Sequence, residues 1–110
     1  MVADLPNQAL NHAASAVEAA AAIAVCARAT IPQLGFIHED PGQSFAHDVA
    51  DLYRDSITIP CAFRAAKHVT ERPADNVERM TRRLTGTALA KEKVIPEMIE
   101  RIKAIIEGRD

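Results

Sequence analysis

From Ala13 to Ala27 the chain is an almost unbroken apolar run, mostly alanine, with only Ser15 and Glu18 intervening. Alanine loses no side-chain entropy in a helix and is its strongest former, so this stretch can hardly be anything else. Asp4 and Pro6 precede it as a capping carboxylate and a first-turn proline. Thr30, Pro32 and Gly35 follow it as breakers. The pattern predicts a helix over about Asn7 to Arg28. It is apolar on nearly every face, which predicts a central, buried element, the most buried of the fold. Cys26 lies within it and reads as a small buried hydrophobe. The run is read as too short and too weakly apolar to span a bilayer, with no basic leader before it.

The rest of the 110 residues repeats the helical theme. Phe45, Val49 and Leu52 recur at helical spacing and predict a second helix from about Ser44 to Arg54, after a loop LGFIHED and a Pro41-Gly42 turn. Thr58 stands as a cap before Pro60, opening a third helix to about His68. A fourth is expected after Pro73 to about Leu84, and a fifth from about Thr87 to Glu107, kinked or divided at Pro96. Nothing alternates with a period of two. The expectation is an all-α, compact bundle of about five helices, one domain over 1–110. With three Phe, one Tyr and no Trp, its core must be built from aliphatic side chains. Cys26 and Cys61 form no CxxC and suit a reducing, cytoplasmic setting.

Chemistry concentrates around the second helix. Asp48 and Asp51 are three apart and project from one face. His38 ends the loop that feeds them. A nitrogen and carboxylate oxygens together suit Mg²⁺ or Mn²⁺ better than a structural zinc. Two other readings stand beside this. Aspartates on a helix face are commonly solvated, and His47 with Asp51, four apart, can grip a metal by themselves.

The segment NQAL, followed by LGFIHEDPGQSFAHDVADLYRDSITIPCAFRAAK, resembles the CRISPR-associated integrases, most closely those of type I-E. The resemblance is carried by Gly35, Phe36, Ile37 and His38, then Ser44, Phe45, Asp48, Asp51 and Leu52, then Ile59, Pro60, Ala62 and Phe63. It runs without a gap from about Asp4 to Lys67 and continues more loosely through LAKEKVIPEMIE. It implies the helical C-terminal catalytic domain of that family, lacking the N-terminal β domain. It implies that His38 and Asp51 are two of three metal ligands for Mg²⁺ or Mn²⁺, with Asp48 supporting them in catalysis. The family's third ligand is a Glu on a helix upstream of this segment. Glu18 does not share its register and is read as a partner for an Arg or a surface group. The turn Glu39-Asp40-Pro41 departs from the family's basic or small residues there.

The implied activity joins a DNA 3′-hydroxyl to a phosphate of the CRISPR repeat during spacer acquisition. Implied partners are prespacer and repeat DNA, a second copy of the chain, the CRISPR-associated protein two, or a chain supplying the missing Glu. No membrane partner is expected. A net charge of -2 means DNA contacts must come from a local patch. Arg79, Arg82 and Arg83 on the fourth helix, and Arg64 and Lys67 on the third, are the candidates, with Arg82 foremost. Asp75 and Glu78 are interspersed, so a mixed solvated surface is the alternative. A non-catalytic interaction or DNA-binding module derived from the integrase is the competing function.

Overall fold

The computed structural model describes residues 4–29 and 40–108. Among them lie five α-helices and no strand: α1 (Leu5–Ala29), α2 (Asp40–Asp51), α3 (Ile59–Glu71), α4 (Val77–Lys91) and α5 (Val94–Ile106). A π turn, Arg54–Thr58, joins α2 to α3. The all-α bundle expected from the sequence is therefore the fold.

Helix α1 is the axis of the bundle and packs against each of the other four. Its first half meets α3 through a cluster whose buried members are all alanines, Ala9 and Ala13 against Ala62, Ala65 and Ala66, with Leu5 and Leu10 packed at its edge. Methyl side chains let two helices approach closely, each burying little area but leaving no gap. Its second half meets α2 and α5, where Val17, Ala21 and Ala24 close on Val49, Tyr53, Met98 and Ile102. Burying the larger of these side chains contributes roughly 1.5–3 kcal/mol each.

The structure corrects the expectation of all-round burial. Ser15, Ala19, Ala22 and Cys26 follow one another at helical spacing and are all exposed. Cys26 is thus on the surface rather than in the core. Apolar composition cannot say which stripe of a uniformly apolar helix lacks a neighbour. The length expectation changes too: Leu5–Ala27 is long and apolar enough, by length and composition, to cross a membrane. Its contacts with four other helices are those of a core helix.

Helix boundaries also shift. α2 begins at Asp40 and stops at Asp51, so Leu52 falls in a turn and is 50% exposed. The core place expected for Leu52 goes to Tyr53. Thr58 is no cap. It is buried in helical conformation inside the π turn and makes no side-chain cap bond. Asn76 is the cap that forms, accepting from the backbone N–H of Arg79 at 2.8 Å. α4 continues seven residues past Leu84, because Thr81 and Thr85 are buried within the bundle and hold it helical. The corner before α5 falls at Lys93, in the left-handed region at φ 54°. Pro96 lies in the first turn of α5, where its missing N–H has no helical partner to lose, so it bends nothing.

Candidate metal-binding face

The amphipathic pattern of α2 decides which of its residues meet water. Ala46, Val49 and Ala50 turn inward, and His47, Asp48 and Asp51 turn outward. Asp48 and Asp51 thus stand one helical turn apart on an exposed face. No ion pair or hydrogen bond engages either carboxylate among the described residues. His38, Phe36 and the rest of LGFIHE lie outside the described residues.

Asp51 also lines a small cleft of about 50 Å³ between α1, α2 and the π turn, together with Glu18, Arg54 and Thr58. The Glu18 carboxylate Oε2 lies 3.0 Å from Nδ1 of His47. Of the two readings of Glu18, a partner for an Arg or a surface group, the first is changed to a histidine partner, and the half-exposed carboxylate is in keeping with the second. Both side chains are about half exposed, so the pair is screened and worth roughly 0–1 kcal/mol. His47 is occupied by Glu18 rather than turned to Asp51.

The donor set fits a hard cation in part. Two carboxylates one turn apart supply the oxygens that Mg²⁺ or Mn²⁺ favours. Among the described residues no three His, Cys, Asp or Glu side chains converge on one point. The described face is two-pronged, and further donors must complete it.

The basic candidates fall into two places. On α4, Arg79 and Arg82 line a surface hollow of about 320 Å³ with Asn76 and Glu78. Arg82 Nη2 is held by Glu78 Oε2 at 3.0 Å, and Arg83 is exposed nearby. On α3, Arg64 and Lys67 are exposed. Arg64 borders a hollow of about 460 Å³ with Tyr53, Cys61, Glu92 and Glu97.

Two groups there went unnoticed in the sequence. Tyr53 donates its hydroxyl to Glu97 Oε1 at 2.8 Å, and the Arg101 guanidinium lies 5.8 Å from its ring centroid. Burial, followed by the bond to the Glu97 carboxylate and its charge, pushes the Tyr53 phenol up to about 12, with Arg101 opposing. Burial likewise pushes the Cys61 thiol up. Forty-four residues separate Tyr53 from Glu97, and no local pattern links them.

The sequence is similar to that of several characterised proteins. It is 33% identical over 108 residues to the CRISPR-associated endonuclease Cas1 1 of Rhodospirillum rubrum, covering 93% of this chain and 34% of that protein. It is 34% identical over 106 residues to Cas1 2 of Thermus thermophilus, covering 96% and 31%. It is 31% identical over 103 residues to Cas1 of Geobacter sulfurreducens, covering 94% and 32%. The chain spans about a third of the length of the relatives it matches. No family model and no solved structure matches it.

Proposed function

This chain is related to the Cas1 endonucleases along nearly its whole length, and from that premise we propose that it is the helical, cation-holding part of a CRISPR adaptation integrase. The observation that carries the reading is the outward-facing Asp48 and Asp51, one turn apart, inside the stretch that resembles the family's motif. His38 and Asp51 are proposed as two ligands of Mg²⁺ or Mn²⁺. Asp48 orients His38 or a water beside it, the usual task of a carboxylate behind a ligand. The family's third ligand, a Glu, has no matching position here, so it comes from the rest of the protein or from a partner chain. When bound, the cation polarises phosphoryl oxygens and lowers the pKa of an attacking hydroxyl.

The remaining work is positional. Arg64 and Lys67, or Arg79, Arg82 and Arg83, each neutralise a DNA phosphate. Arg82 must first leave Glu78, at little cost for an exposed pair. The setting is intracellular, with DNA as partner.

A second reading, a docking module without catalysis, draws on the exposed Ile23, Leu52 and Phe63, the last 63% exposed. Apolar surface of this kind is covered when a chain assembles. A homo-oligomer, or a complex with the rest of an integrase or with the CRISPR-associated protein two, would cover it.

Mn²⁺ titration followed by electron paramagnetic resonance tests the first reading. The chain alone should bind weakly, since Mg²⁺ and its kin rely on carboxylates plus substrate phosphates. A DNA duplex with free 3′-hydroxyls should strengthen binding. His38→Ala and Asp51→Ala should each abolish that gain, and His47→Ala should not. If His47→Ala removes binding and His38→Ala leaves it, the ligand set is the helical His47–Asp51 pair. Efficient DNA joining by the chain alone refutes the incomplete site.

A further inference from the structure

Among the described residues four large apolar side chains stand out into water: Ile23, Leu52, Phe63 and Ile105. Their surroundings differ. Ile23 lies among Ala19, Ala22, Cys26 and Ala27, none of them charged. Leu52 lies among Asp51, Arg54 and Asp55, of mixed sign. Arg101, one turn before Ile105, is taken up over the Tyr53 ring. Phe63 alone of the four is aromatic, and it is the most exposed. It sits beside Arg64 and one turn before Lys67, both exposed, and no ion pair engages either cation among the described residues.

Helix α3 presents these three residues from a fixed base. Cys61, Ala62, Ala65, Ala66 and Val69 bury its inner side, so the outer side carries Phe63, Arg64 and Lys67. Phe63 and Lys67, four apart, are surface neighbours separated by about 6 Å along the helix axis. The nearest acid on the outer side of α3 is Glu71, two turns beyond Phe63. Glu92 and Glu97 line the hollow that Arg64 borders, and Glu97 already accepts the Tyr53 hydroxyl. A ring with two cations beside it matches a ligand that has a flat apolar face and negative charge on its flanks. A protein that covered Phe63 would also take Lys67 out of water, and lysine is depleted in protein interfaces.

We propose that the outer side of α3 binds unpaired nucleotides of single-stranded DNA, a base stacking on the Phe63 ring while flanking phosphates meet Arg64 and Lys67. The proposal rests on the reading that this chain binds DNA and deepens it by naming the form of DNA that α3 takes. Every base has a π face, so such a contact tolerates any sequence. Inside a duplex the bases are stacked on one another, so a duplex offers the two cations its phosphates but offers the ring nothing.

Fluorescence anisotropy with three labelled probes separates the ring from the charges: a short oligo-dT, an abasic strand with the same phosphates, and a blunt duplex. Phe63→Leu keeps an apolar side chain and loses the ring. It should weaken oligo-dT about fivefold, the low end of base–aromatic stacking, and leave the abasic strand and the duplex unchanged. Lys67→Ala should weaken oligo-dT and the abasic strand alike and flatten the salt dependence of both. Ile23→Ala, on the uncharged side of α1, should bind as the parent does. The chain has no Trp, so Phe63→Trp supplies a single reporter, whose emission oligo-dT should quench and the abasic strand should not. Parent-like oligo-dT binding by Phe63→Leu overturns the proposal, and the DNA reading survives it if Lys67→Ala still weakens binding. Equal loss on the abasic strand overturns it too. A shift from dimer to monomer in sedimentation of Phe63→Leu, with oligo-dT binding kept, would make Phe63 a protein contact instead. A parent chain that binds none of the three probes refutes the DNA reading itself, and the proposal with it.

Discussion

Replacing Lys93 by glycine should stabilise this protein. Lys93 is the only non-glycine residue with positive φ among the described residues, at φ 54° and ψ 47°. It closes α4, with its N–H bonded to the Ala90 carbonyl at 3.2 Å, and opens α5, with its carbonyl accepting from Glu97 at 3.2 Å. Both helices fix its conformation. A side chain in the left-handed region sets Cβ against the following carbonyl, costing about 1–2 kcal/mol. Glycine removes that cost but loses roughly 0.5–1 kcal/mol more backbone entropy on folding. No ion pair engages Lys93 among the described residues, so only the covering of a shallow apolar hollow by its stem is lost. The net gain is about 0.5–1 kcal/mol. Unfolding entropy near 2.1 cal/mol/K per residue turns this into a rise in Tm of roughly 2–5 °C for a chain of this length. Thermal unfolding followed by circular dichroism, with Lys93→Ala and Lys93→Val alongside, measures it. The expected order is glycine, then lysine and alanine together, then valine, whose branched Cβ is worst in this region. A glycine variant melting at or below the alanine variant would show that the corner carries no left-handed strain.

Other outcomes follow from single contacts. The Thr85 hydroxyl is fully buried and has no full hydrogen-bond partner, the neighbouring Cys61 thiol being a weak donor that points to the Leu84 carbonyl at 3.8 Å. Thr85→Val should therefore be neutral or stabilising by denaturant titration, whereas Thr81→Val, which loses a 2.6 Å bond to the Val77 carbonyl, should cost about 1 kcal/mol. Of the two free thiols, Cys26 should react with a maleimide at once and Cys61 only on unfolding, since Cys61 is buried and its thiol pushed up. Two fast thiols would contradict the placement of Cys61. Tyr53 should ionise near pH 12 in the folded chain and near 10 in denaturant, followed by tyrosinate absorbance. Because the folded value is the higher one, its contribution to stability is whole below pH 10 and is lost as pH rises through about 12. An ionisation near 10 in the native protein would place the phenol in water.

The existence and kind of the helices lay open in the sequence, because alanine-rich and 3.6-periodic segments have one cheap backbone conformation in water. So did the outward step of Asp48 and Asp51, which needs only helical arithmetic and the inward Val49 between them. The resemblance to the integrases rested on local spacing, and the similarity to Cas1 proteins runs over more than nine-tenths of the chain. Tertiary structure decided the rest. Which stripe of α1 stays uncovered, and so the exposure of Cys26, depends on where four other helices lie. The end of α2 at Asp51, with Leu52 turned out and Tyr53 turned in, depends on a π turn that trades intrinsic helix geometry for a bond to Glu97. The α4–α5 corner sits at Lys93 because burying Thr81, Thr85, Val94 and Met98 outweighs one strained residue. Local propensities amount to tenths of a kcal/mol per residue and burial to whole ones, so elements were legible locally, while their ends and exposed faces were settled by packing between residues far apart in the chain.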